Sequence, residues 1–539
     1  MICILLTVLA WIPSVLGYGA LLRCGDAGLR RSVSGVLGLG VLAALGILLH
    51  FVVPLAPVVS ACAWVLGLSL FWWRRAWLLE GLSRVELLGT VAAVLACLLL
   101  MQSPTRHYDA GLYWLQTVKW IGERRIEIGL ANLHGRLAFN GTWFVLSAML
   151  EHPLAAGRSA FFVTILPIAF ASAGAVVAMQ RLVDGDRTFA NLVLAALVIP
   201  IAHATEGLGA QASDHALTIF IPLALALWAR ALEPAREFAA EAYPAALLSI
   251  FAATIKISAA PLVVGGALIV LARRASVGRR WLAGMGAAIG VAVVPWIVRS
   301  FLLSGCAVYP VAATCVDALP WAVRRSDVRT LARWIYSWAR RPGLSPDQVL
   351  GNWAWVEPWT ARVLERPDHR ALAVLIALGL ATAVASARWA SRAFVVTFGI
   401  ALGGVAFWFL SAPDARFAFG FLFSVALLPL AFALSRGPIL SDAATRGALC
   451  VALVWCGVYA LQTTGVYDRA VNRTWQLPVA AWPDLPTAVA TRKVAESGYE
   501  VTVPVAGDQC WANPLPCAPQ LDPRLRRDWA LKVVRSGGR

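Results

Sequence analysis

The stretch TRHYDAGLYWLQTVKWIGERRIEIGLANLHGRLAFNGTWFVLSAMLEHP, residues 105–153, sets His107, Tyr108 and Asp109 in succession. Asn132, His134, Arg136 and Asn140 follow, among six aromatics from Tyr108 to Trp143. A carboxylate at the end of an apolar run, between His107 and Tyr113, is placed to take a proton from a substrate hydroxyl. His107 and His134 are the other candidate bases. The competing expectation is that Asp109 caps the helix it opens. No second acid forms a DxD pair beside it, so the residues make little case for a metal.

Lys256 is the second candidate. It sits in SIFAATIKISAAPLVV, and lysine occurs only four times in the chain, at 119, 256, 493 and 532. An ionisable group inside an apolar run is expected to be functional, against snorkelling to the interface as the structural alternative. A point cation at that depth suits a lipid phosphate. SAPDARF supplies Asp414 and Arg416, and the Arg fork also fits a phosphate. EGLGAQASDH supplies Glu206, Asp214 and His215. Ser213 or Asp214 is expected to cap the next helix, leaving Glu206 and His215 freer. Arg299 and Tyr309 flank the start of a long loop. Asn132, Arg136, Asn140, Asp214, His215, Lys256, Arg299, Asp414 and Arg416 form the expected substrate-binding set.

These residues need elements to hold them, and composition says which. The chain is 60% hydrophobic and 14% charged, with a mean hydropathy of +0.72. Repeated apolar runs near ~20 residues, without strand alternation, predict an all-α polytopic membrane protein. Fourteen helices are expected, at about 1–22, 34–53, 55–73, 86–102, 159–180, 188–204, 213–232, 243–257, 259–272, 281–301, 371–387, 393–411, 416–435 and 447–465. The first has no basic leader and reads as a retained helix. The net charge of +17 comes from Arg gathered in short loops, so no nucleic-acid partner is implied.

The short Arg-rich loops then share the cytoplasmic face. Loops 103–158 and 302–370 fall on the periplasmic side of an inner membrane, as does a tail at 466–539 that follows a membrane domain at 1–465. Cys306/Cys315 and Cys510/Cys517 are close pairs in an oxidising compartment and are expected to form two local disulfides. The loop 302–370 carries nine Arg, six acids and six Trp. It reads mainly as a cap of short amphipathic helices lying on the bilayer. No phosphate-binding glycine loop, HExxH or nucleophile elbow occurs, and no cofactor is expected.

The stretches YDAGLYWLQTVKWI, GLANLHGRLAFNGTWF, ATIKIS, SGCAVYP, APDARFAFG and GDQCWANPLPCAP resemble a family of bacterial multi-pass membrane proteins without an assigned activity, first named from a leptospiral member. More widely, DAGLYWLQ resembles the GT-C membrane glycosyltransferases, which carry a catalytic acid in the first long outer loop before a juxtamembrane helix. Asp109 matches that position, although three additional helices precede it and the acid stands alone. The resemblance implies a GT-C-like architecture, a polyprenyl-phosphate-linked sugar as donor and a glycan or lipid acceptor. A surface-polysaccharide polymerase or ligase is the alternative. A lipid or solute transporter fits less well, because the polar groups gather on one face and no internal repeat is visible.

Overall fold

The computed structural model describes residues 2–24, 26–101, 107–155, 157–436, 442–472, 491–496 and 499–520. Each expected apolar stretch folds as helix. The first four are Ile2–Gly19, Arg30–His50, Pro57–Leu79 and Arg84–Leu100. Ile165–Val183, the pair Phe189–Ala196 and Val198–Ala204, Ser213–Ala231, Phe238–Ile255 and Ala260–Ala272 follow. Arg279–Ser304, Pro367–Ser386, Arg392–Ser411, Phe419–Arg436 and Asp442–Thr463 complete the set. Among the described residues, eleven helices are long and apolar enough to cross a membrane, and Ile257–Ala272 and Leu449–Thr463 are shorter apolar helices.

Local chemistry sets the breaks. Pro57 begins its helix, where a missing N–H costs nothing. The Ser83 and Ser391 hydroxyls accept from the N–H groups of Glu86 and Phe394, capping two helix starts. Lys256 is extended, at φ −155° and ψ 135°, and a 3₁₀ turn over Ile257–Ala259 leads into a helix with Pro near its start. The chain therefore breaks at Lys256 and resumes as a separate helix.

The Ser213–Ala231 helix is wholly buried, whereas Pro57–Leu79, Arg279–Ser304 and Pro367–Ser386 bury few of their side chains fully. In a membrane an all-round apolar helix can be central or lipid-facing, and here both kinds occur. Gly19 approaches the backbone of Ser34 so closely that a Cβ would lie 1.8 Å from its carbonyl oxygen. Small residues permit such close helix contacts.

Polar residues form two layers. At one end Asp26 meets Arg181 (3.2 Å), Arg230 (2.7 Å) and Arg236 (3.6 Å), and Arg230 also meets Glu241 at 2.8 Å. Arg31 and Glu86 pair there as well, both buried. Asp214 sits in the first turn of the Ser213–Ala231 helix and Arg230 in its last. Sixteen residues of helical rise separate the layers by about 24 Å, close to a hydrocarbon thickness.

Above the Asp214 end, the segment 107–155, the loop after Ser304 and the tail share a small apolar core. It includes Trp120, Leu130, Leu137, Leu303, Val328 and Val503. The expected bilayer-lying helices, of which Arg325–Arg340 is the longest, thus belong to a cap packed on the bundle. Cys306 is joined to Cys315 and Cys510 to Cys517. The tail contains an antiparallel hairpin, Thr491–Glu496 with Tyr499–Pro504, in which Thr491 faces Pro504. Backbone pairing in so short a ribbon leaves little hydropathy signal. The remaining tail residues, 473–490 and 521–539, lie outside the described residues.

Candidate functional site

Five segments converge at the Asp214 end. Asp109 is buried just before a π-helical turn, Ala110–Trp114, that runs into the Leu115–Glu123 helix. Its side chain makes no capping bond. One oxygen instead accepts from Arg416 Nη1 at 2.8 Å and the other from Arg136 Nη1 at 3.3 Å. The capping expectation thus gives way to a two-guanidinium clamp.

Arg416 lies in the 3₁₀ turn Ala415–Phe417. Asp414 caps that turn by accepting from the Arg416 N–H at 3.3 Å, and also lies 3.5 Å from its guanidinium. Burial opposes the Arg416 charge, but Asp109, Asp214 and Asp414 more than offset it and hold its pKa above the ordinary arginine range. Its guanidinium also faces the rings of Phe417 and Trp338, at 5.0 and 5.4 Å. Arg136 faces Trp334 at 5.0 Å and Tyr113 at 5.8 Å.

Lys256 reaches the same place from the break between its two helices. Its Nζ donates to Asp214 at 2.5 Å and lies 3.7 Å from the Phe417 ring centre. The expected capping by Ser213 or Asp214 is absent, because Ala212 holds the N-cap position without a side-chain bond. Asp214 is spent on Lys256 instead. Glu206, expected to be freer, lies 3.6 Å from Arg366 and 3.9 Å from His203.

The cluster holds three carboxylates (Asp109, Asp214, Asp414) against three cations (Arg136, Lys256, Arg416), joined by ion pairs. His107 packs against Trp114 with ring centres 4.5 Å apart and planes tilted by 32°. Burial first, and then Arg416, lowers its pKa; the acids Asp109, Asp214 and Asp414 pull the other way. The imidazole is neutral near pH 7 and capable of taking a proton. His215, next to Asp214, completes the set.

The other candidates lie elsewhere. Asn132 donates to the carbonyls of Gly129 and Trp321, tying two loops together. Asn140 accepts from Arg299 at 2.5 Å, and Arg299 reaches His50 at 3.5 Å, fastening the loop to the Arg279–Ser304 helix. His134 has no hydrogen bond or ion pair to the cluster among the described residues, and burial pushes its pKa down to about 3.

The tail adds a contact that the sequence did not disclose. The Trp511 N–H donates to the Gly111 carbonyl at 2.9 Å. A Cβ on Gly111 would lie 2.5 Å from the Trp511 ring, so only glycine fits beneath it. Gln116 donates to the carbonyls of Trp511 and Asn513, both at 2.9 Å, and Lys119 to that of Asn513 at 3.1 Å. Tyr108 donates to Asp508 at 2.5 Å, a bond that helps to push the phenol up to about 12.

The sequence profile of a family described as "Domain of unknown function (DUF8201)" matches residues 1–423, and the chain belongs to that family. No curated protein and no solved structure matches it.

Proposed function

We propose that this member of the DUF8201 family is a GT-C-like membrane glycosyltransferase. It moves a sugar from a polyprenyl-phosphate donor to a glycan or lipid acceptor in cell-surface glycan assembly. In this reading the chain spans a bacterial inner membrane fourteen times. The cap and tail are periplasmic, and the Asp26 layer with its arginines is cytoplasmic.

One observation carries the reading: an apolar groove begins at Ala260, four residues along the chain from Lys256 of the charged cluster. The groove has a volume of about 610 Å³ and runs between the Ala260–Ala272 and Arg392–Ser411 helices. Its walls include Pro261, Gly265, Ile269, Gly399 and Gly403, and Ala260 opens it one turn beyond Lys256. An isoprenoid chain fits such a groove along its length. Its phosphate then meets Lys256 and Arg416, and Trp334, Trp338 and Tyr113 supply ring faces for a sugar.

The cluster is already charge-balanced, so a phosphate binds by exchange. Lys256 trades Asp214, and Arg416 trades part of Asp109, for phosphate oxygens. That exchange frees Asp109 to accept the acceptor hydroxyl proton, with His107 beside it. The two cations stabilise the phosphate as its charge grows during bond cleavage.

The test is retention and transfer of a radiolabelled polyprenyl-phosphate sugar by the purified protein in lipid nanodiscs. Lys256→Met is expected to lose retention at least tenfold and transfer with it. If the wild type retains no donor and transfers no sugar to a glycan or lipid extract, the reading fails.

A further inference from the structure

We infer that the membrane-facing slot below His203 is a second ligand site, shaped for the amine head of a single-chain lipid. The slot has a volume of about 140 Å³. Leu372, Leu375, Phe423 and Trp455 form its apolar walls. It opens sideways beside Val374 and Leu378, which are 60% and 55% exposed. That opening lies between the Pro367–Ser386 and Asp442–Thr463 helices, where lipid chains would stand. The volume suits a small head with the first few methylene groups, and the rest of a chain would lie outside it among the lipids.

The closed end is polar. His203, Asp368 and Tyr459 line it. Glu206, Arg366 and His369 stand behind: Arg366 is 2.7 Å from Asp368 and 3.6 Å from Glu206, and His369 is 3.7 Å from Asp368. His203 is 2% exposed, and its Nδ1 bonds the Tyr459 hydroxyl at 2.6 Å while Nε2 has no hydrogen-bond partner. A polar atom left so in an apolar wall is costly and points to a ligand group.

Charge selects the head. Asp368 is the charged side chain in the lining, and its partner guanidinium, Arg366, stands behind it. An anionic head would add a negative charge beside Asp368, with no Lys or Arg among the described residues that line the slot. An ammonium would meet Asp368 and an outer face of the Trp455–Tyr459 pair, whose rings stack with centres 5.5 Å apart. The slot is thus the chemical opposite of the Lys256–Arg416 end of the first site. The two adjoin, since the His203 and His215 rings stack 6.3 Å apart and His215 follows Asp214. Occupancy of the slot does not rest on the transferase reading.

The test uses dodecylamine, dodecanol and laurate carrying the same photoactivatable group in the chain, added to the protein in nanodiscs, with labelled peptides mapped by mass spectrometry. The amine is expected to label the 367–386 and 449–463 segments at least tenfold more than laurate, with dodecanol between. Val374→Trp and Leu375→Trp, which plug the mouth and the wall, are expected to bring labelling to background. Asp368→Asn, which leaves the apolar wall intact, is expected to lower amine labelling about tenfold and leave dodecanol unchanged. Laurate or dodecanol labelling equal to the amine would overturn the headgroup assignment. Amine labelling that persists in both tryptophan variants would overturn the site. Labelling without any transfer would leave the slot standing and count against the transferase.

Discussion

Arg416 and Asp109 are 307 positions apart in the sequence and 2.8 Å apart in the fold. The ion pair joins the segment after the fourth helix to the turn before the Phe419–Arg436 helix. Its two members do opposite work in the proposed reaction, one binding a phosphate and the other accepting a proton.

Asp109→Asn separates these tasks. The amide keeps the shape and one acceptor, so the protein is expected to insert and to elute as the wild type does. Turnover should fall ~10²–10⁴-fold, the usual contribution of a positioned base, while donor retention changes less than threefold. Measured side by side, a loss of retention as large as that of Lys256→Met would show instead that Asp109 only holds Arg416. Full activity would move the base to His107.

Donor binding should tighten as pH falls from 8 towards 6. The free site has three acids and three cations and a His107 whose pKa lies below the usual 6.5. An arriving phosphate raises that pKa, so binding takes up a proton, by up to about a tenfold gain in affinity per pH unit. His107→Asn should flatten the slope. Without donor the sign reverses: a histidine with a depressed folded pKa loses stability below about pH 6.5, so acid alone should lower the thermal midpoint. A pH-independent donor affinity in the wild type would rule out the uptake.

The tail should matter to the site more than to the bundle. Breaking the Cys510–Cys517 link by Cys510→Ser with Cys517→Ser opens a short loop, worth ~2–3 kcal/mol of local constraint at most. Trp511 and the carbonyls held by Gln116 and Lys119 should then loosen. Expected results are faster proteolysis within 499–520, at least tenfold lower transfer and an unchanged melting profile for the bundle. Unchanged transfer would make the tail a passenger.

Sidedness is checked by reporter fusions or by cysteine labelling at Gly122, Pro342 and Gly507. All three are expected to report the periplasm, with Arg187 and Arg274 positions reporting the cytoplasm. A cytoplasmic signal at any of the first three would break the fourteen-span topology.

Much of the framework was legible in the sequence because it is locally encoded. Apolar run length gave the helices, and Pro261 with Lys256 gave the break between two of them. The rarity of lysine singled out Lys256, and the SAPDARF turn singled out Arg416. What local signals could not carry was pairing. An all-round apolar helix does not say which neighbour it faces, so nothing joined Lys256 to Asp214 or Asp109 to Arg416. Asn140 and Arg299 looked like ligand groups because a polar side chain at a loop start serves binding and fastening equally well. Trp338 was indistinguishable from its five neighbours in an interfacial loop. The docking of Trp511 on Gly111 crosses 400 residues and had no sequence signal beyond the glycine itself.

The extended backbone at Lys256 also bears on how the chain enters the bilayer. Asp214 and Lys256 lie at the same end of two consecutive helices, Ser213–Ala231 and Phe238–Ile255. In the orientation proposed here both must be carried across the hydrocarbon during synthesis, a step that costs roughly 2.5–3.5 kcal/mol for a lone charge on insertion scales. Inserted as one hairpin, they can cross as a neutral couple. Asp214→Asn should therefore reduce the yield of correctly inserted protein, and adding Lys256→Met should recover it.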